Sequence, residues 1–106
     1  MRATRALALE PLVSGVTRVT VARPAGFTFR AGDYVFLRVP LVARGEWHPF
    51  TISSAPEREG VFTLHVRSLG NWTRALHEYA GERARTGARL PLEVEVDGPY
   101  GTPTTH

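Results

Sequence analysis

The chain has 106 residues, 42% of them hydrophobic and 22% charged. One domain of this size buries roughly 60–70% of the surface that its unfolded form exposes, and the composition is too apolar for a disordered tail. There is no cysteine, which excludes disulfides, Cys-ligated metals and thiol catalysis. Thirteen basic residues, all of them arginine, against ten acidic ones give a net charge of +3, and the pI is near 10.2 because arginine does not deprotonate in the working range. These arginines are spread from Arg2 to Arg89, and only Arg83, Arg85 and Arg89 approach a cluster. A nucleic-acid partner is therefore not expected. The longest apolar stretch, Tyr34 to Ala43, includes Arg38 and is too short for a membrane span of roughly 20 residues. No apolar segment of signal-peptide type follows Met1 to Arg5.

Period-two alternation dominates the chain. Leu7 and Leu9 alternate with Ala6, Ala8 and Glu10, and Pro11 to Gly15 forms a turn. Thr17, Val19 and Val21 form the next face, and Pro24 to Gly26 breaks the chain. Phe27 and Phe29 then share a face before the turn at Ala31 to Asp33. Val35, Leu37 and Val39 alternate with Tyr34, Phe36 and Arg38. The run His48 to Ser54 is strand-like, but Pro49 lacks a ladder N–H, which makes this strand irregular or places it at an edge. Phe62, Leu64 and Val66 want the core, so His65 and Arg67 point outward together. Trp72, Ala75, Leu76 and Tyr79 recur at helical spacing, with Asn71 as N-cap and Gly81 as the closing glycine. The helix is expected over about residues 71–80. Leu90, Leu92, Val94 and Val96 form the last strand, with Glu93 and Glu95 on its solvated side, and Asp97-Gly-Pro99 ends it. About six short strands and one helix predict a small closed β-barrel with the helix across one open end.

Two segments carry the candidate chemistry. Arg67 offers a fork suited to phosphate, and Gly70, Asn71, Trp72 and Thr73 open a helix whose free N–H groups suit an anion. In His48-Pro49-Phe50-Thr51 a planar ligand could stack on Phe50 while Thr51 hydrogen-bonds its rim. Each segment also has a plain structural reading: a solvated Arg67 with a loop glycine, and Phe50 with Ile52 in the core. The histidines have no metal-ligand spacing, the serines lack a nucleophile elbow, and the glycines form no phosphate loop.

Taken together, the motifs resemble those of a known family. His48-Pro-Phe-Thr51 with Ile-Ser-Ser-Ala-Pro behind it is similar to the flavin motif of the NADPH oxidase and ferric reductase family. Phe62 to Thr73 resembles the segment that follows it there, Ala31 to Leu37 an earlier strand, and Val96 to Gly101 the junction where the flavin domain ends. The resemblance implies an all-β, six-stranded antiparallel Greek-key barrel with a capping helix, binding FAD. Phe50 is then expected to pack on the isoalloxazine and Thr51 to lie near its redox edge. His48 stands where an arginine stands in plant-type relatives, and is expected near the phosphate or ribitol. Arg67 is expected to pair with the pyrophosphate, with backbone N–H groups from Gly70 to Thr73 adding to it. His65 belongs to the same set, and Trp72 is expected beside the adenosine or as a helix anchor.

In the intact family enzymes NADPH reduces FAD, and electrons pass singly to haem and on to oxygen or ferric iron. Residues 1–106 are therefore expected to be one FAD-binding domain, with the NAD(P)H-binding domain and the transmembrane haem domain absent. Such a domain is expected to bind FAD without turnover, not to insert in the membrane, and to sit on its cytoplasmic side in the parent. Two other readings remain at this point: a soluble flavin reductase component with a separate nicotinamide-binding partner, and a non-redox binding barrel.

Overall fold

Strands form where apolar residues alternate with polar ones, because each such segment has one face to bury. A computed structural model describes residues 1–87 and 90–101. The strands are β1 (Arg2–Pro11), β2 (Val16–Ala22), β3 (Tyr34–Arg38), β4 (His48–Thr51), β5 (Val61–Arg67) and β6 (Leu92–Tyr100). The helix α1 (Asn71–Thr86) lies between β5 and β6. The sheet order is β4-β3-β6-β1-β2-β5, and every neighbouring pair is antiparallel. The two end strands meet through a bridge between Ile52 and Leu64 and a hydrogen bond of 2.9 Å from Ser53 N to Thr63 O. The result is the expected nearly closed, six-stranded Greek-key barrel with one helix.

The inward faces follow the alternation. Val19, Val21, Val35, Leu37, Phe62, Leu64, Val66, Val94 and Val96 are fully or almost fully buried. One strand departs from it. In β1 a bulge between Ala6 and Ala8 shifts the register against β2. Ala6 is therefore buried, Leu7 is 42% exposed, and the inward phase resumes at Leu9. Phe27 and Phe29 belong to no strand, yet both are buried. Phe27 stacks on Phe62 at 4.8 Å, and Phe29 meets Phe62 edge-on at 6.4 Å. Since Phe62 is the second residue of β5, next to Val61, and α1 follows the strand's other end, this aromatic group fills the barrel away from the helix.

The helix differs from its predicted bounds at both ends. Its N-cap is Gly70, and Asn71 is the first helical residue, with its Oδ1 accepting from Arg74 Nη2 at 2.7 Å. It runs through Gly81 to Thr86 because Trp72, Leu76 and Ala80 keep one buried stripe. Polar pairs support the last turns: Arg83 donates to the Tyr79 hydroxyl at 2.6 Å, and Arg85 pairs with Glu82. Gly87 ends it in the left-handed region, where its N–H reaches the Arg83 carbonyl. Arg83 and Arg85 are thus occupied within the helix, while Arg89 lies outside the described residues. Glu95 is not simply solvated: it pairs with Arg38 across β3 and β6.

One turn position is closely constrained. Gly98 has φ of +127°, and a Cβ there would lie 3.1 Å from the Tyr100 ring and 3.2 Å from the Tyr34 carbonyl. Gly98→Ala is expected to lower stability by about 1–3 kcal/mol and the melting temperature by roughly 5–20 °C. A thermal melt that matches the wild type would show that this junction yields.

Candidate functional site

The site forms at the barrel seam, where β4 and β5 are joined by little more than the Ile52–Leu64 bridge. Pro49 is tolerated because β4 pairs in register with β3 on one side only, Phe36 lying opposite Pro49. Along β4, His48 and Phe50 are half-buried while Pro49 and Thr51 are exposed. His48 and Phe50 share a face, and both lie against Trp72 at the start of α1. The His48 ring stacks on the indole at 4.4 Å and 26°, and the Phe50 ring at 5.8 Å and 24°. Trp72 is 6% exposed, so it both anchors the helix and backs the aromatic row. Its Nε1–H is buried and has no hydrogen-bond partner among the described residues. His48 Nε2 lies 3.0 Å from Glu46 Oε1.

On β5, His65 and Arg67 are exposed on one face, as the alternation predicts. The Arg67 guanidinium has no hydrogen bond or ion pair among the described residues. Arg18 is bonded to Glu10, and Arg23 to the carbonyls of Val61, Pro56 and Arg58; Arg5, Arg30, Arg44 and Arg58 share the free state of Arg67 among the described residues, and what distinguishes Arg67 is its place at the end of β5, just before the helix start. His65 Nδ1 lies 2.7 Å from Ser53 Oγ.

The loop between β5 and α1 is held from below. Ser68 Oγ donates to the Gly15 carbonyl at 2.6 Å, and Ser68 N reaches the same oxygen at 3.0 Å. Thr73 has a different task from the one its sequence position suggests. Its hydroxyl accepts from Leu69 N at 2.8 Å and Gly70 N at 2.9 Å, so it shapes the turn. The N–H groups that remain for an anion are those of the first helical turn, Asn71 to Thr73, where no side chain caps the helix.

His48, Phe50, Thr51, His65, Arg67 and the Gly70–Thr73 turn therefore gather at one seam, with Pro49 between them. Glu46 and Ser53 join them and were not predicted. Glu46 lies two residues before His48, a spacing that shares a side in extended chain, but no pattern marked the loop as extended. The bond from Ser53 to His65 depends on a pairing that the sequence does not display.

These residues form an aromatic row, an unpaired guanidinium, an uncapped helix start and an orphaned indole N–H. They fit a ligand with a flat ring joined to an anionic group that also accepts hydrogen bonds. A Greek-key barrel with its crossing helix and this seam defines a flavin-binding barrel of the ferredoxin-reductase type.

Comparison with known proteins makes the class specific. The profile of an FAD-binding domain family matches residues 1–104. Human NADPH oxidase 5 is 38% identical over an alignment that covers 98% of this chain and 17% of that protein. Rat dual oxidase 1 is 41% identical, covering 87% of this chain and 6% of that protein. Arabidopsis thaliana respiratory burst oxidase homolog protein E is 34% identical, covering 92% of this chain and 12% of that protein. The chain belongs to the FAD-binding domains of the NADPH oxidase family, and its cofactor is FAD. It spans less than a fifth of the length of these relatives.

Two solved structures share the fold. Full-length CYP116B46 from Tepidiphilus thermophilus superposes with a TM-score of 0.66 at 18% identity, covering 95% of this chain and 13% of that one. The NADH-dependent reduced ferredoxin-NADP oxidoreductase superposes with a TM-score of 0.63 at 20% identity, covering 96% and 35%. Among the described residues no helix is long and apolar enough to cross a membrane.

Proposed function

We propose that this domain holds FAD at the β4–β5 seam as one station in a transmembrane electron-transfer oxidoreductase. Phe50 packs on the isoalloxazine and Thr51 sits at its redox edge. Arg67 and the N–H groups of Asn71 to Thr73 hold the pyrophosphate, and His48 lies against the phosphate or ribitol region. Pro49 keeps a ladder hydrogen bond from closing the seam, and Gly70 leaves the backbone open to the ligand. Trp72 anchors the helix and backs the His48–Phe50 row. When bound, FAD would supply the redox chemistry that links NADPH to haem and then to oxygen or ferric iron. The domain's own share is to bind, orient and shield the cofactor. A nicotinamide-binding domain and a transmembrane haem domain of the parent are its partners, and the domain sits on the cytoplasmic side of that membrane.

The observation that carries this reading is the gathering of the His48–Phe50–Trp72 row, the unpaired Arg67 and the uncapped helix start in one place. Titrating the purified domain with FAD tests it. The expected result is saturable quenching of flavin fluorescence, with yellow colour retained on concentration. No quenching up to high micromolar FAD would overturn the reading.

A further inference from the structure

Beside the seam, on the outer face of β5, lies a polar groove of about 380 Å³ lined by Glu10, Arg18, Ser53, Arg58, Thr63 and His65. At its wall the Ser53 hydroxyl is surrounded. It lies 3.0 Å from the Thr63 carbonyl, 3.1 Å from Thr63 Oγ1 and 2.7 Å from His65 Nδ1. A serine hydroxyl has one proton to give. The Thr63 carbonyl can only accept, and it already takes Ser53 N at 2.9 Å; if it takes the hydroxyl proton as well, serine has none left for His65. His65 must then bring its own proton on Nδ1 to make the 2.7 Å contact. That leaves Nε2 as the acceptor, exposed and without a partner among the described residues.

The surrounding charges do not claim that nitrogen. Arg18 is the cross-strand partner of His65, but its guanidinium is bidentate on Glu10, at 3.0 and 2.9 Å. The same bond holds the Glu10 carboxyl below the usual carboxylate range. Arg67, two residues on along the same face, presents only donors.

We propose that Ser53 is a positioning residue for the flavin site: it fixes His65 as the Nδ1–H tautomer, so that Nε2 accepts a hydrogen bond from the ribityl hydroxyls or imide N–H of the flavin. The inference rests on the FAD reading above and divides the labour within it. Arg67 serves the acceptor end, the phosphates. His65 serves the donor groups, which FAD and riboflavin share. Loss of Ser53 therefore weakens both ligands, whereas loss of Arg67 weakens only FAD.

The test combines ¹⁵N spectra of the histidine rings in the apo domain, recorded at alkaline pH, with FAD and riboflavin titrations. The wild type is expected to show the Nδ1–H form for His65. Ser53→Ala is expected to shift His65 towards the Nε2–H form and to weaken FAD and riboflavin alike by about three- to tenfold. Ser53→Thr restores both the tautomer and the affinities. If Ser53→Ala does not fold, the wild-type spectrum and His65→Phe decide, the latter being expected to show the same loss for both ligands. An Nε2–H form in the wild type overturns the proposal, as does a loss confined to FAD or no loss. A wild-type domain that binds no flavin overturns the functional reading itself, while the apo spectra still judge the Ser53–His65 arrangement separately.

Discussion

Arg67→Ala is expected to weaken FAD by about ten- to a hundredfold while riboflavin stays within about twofold. Hydrogen bonds from a guanidinium to phosphate are charge-assisted, and each contributes about 1.5–3 kcal/mol. Riboflavin has no pyrophosphate and so does not draw on them. The free domain should hardly notice the change, because Arg67 is exposed and has no partner among the described residues. Its melting temperature should therefore stay close to that of the wild type. Arg67→Lys should recover part of the loss, since an ammonium keeps the charge but not the planar fork. Parallel titrations of FAD and riboflavin measure the contrast. Equal losses for both ligands would remove Arg67 from the pyrophosphate site.

Trp72→Ala is expected to be the most damaging single change at the site. Truncating a buried tryptophan costs about 3–5 kcal/mol, out of a total stability of roughly 5–15 kcal/mol for a domain. The indole is 6% exposed and lies against both His48 and Phe50, so its loss loosens helix and flavin row together. The melting temperature should fall by roughly 15–30 °C.

Trp72→Phe separates the two roles. It keeps an aromatic ring against β4 and removes the buried Nε1–H that has no partner among the described residues. Losing an unsatisfied donor offsets part of the lost packing, so the melting temperature should drop far less than for alanine. FAD affinity should stay within about threefold of the wild type, because an aromatic ring still backs His48 and Phe50. Thermal melts and FAD titrations of both variants check this. A phenylalanine variant that loses FAD as fully as the alanine variant would give the indole N–H a role beyond packing.

Much of this was legible in the residue order. Val19, Leu37, Leu64 and Val94 announce their strands because an inward side chain recurs at every second position. Trp72 and Leu76 announce a helix by their spacing of four. The sequence around His48 and Arg67 marks the flavin segments because a stacking surface and a phosphate fork need those residue types. The helix end was less legible: Gly81 looks like a stop, but Ala80 beneath it continues the buried stripe and Gly87 supplies the left-handed turn. Leu7 read as an inward residue because a bulge leaves no mark in an alternation pattern.

The local pattern along the chain thus settled which faces are apolar, where the barrel's strands lie and which residue types could meet a flavin. It could not say which faces meet. The contacts of His48 with Trp72, of Ser53 with His65 and of Arg18 with Glu10 all depend on the register of strands brought together by folding. The same register paired Arg18 with Glu10 and Arg38 with Glu95, and left Arg67 without a side-chain partner among the described residues. Alternation fixes a side chain's direction relative to its own strand, but its neighbour across the seam is set by the closure of the whole barrel.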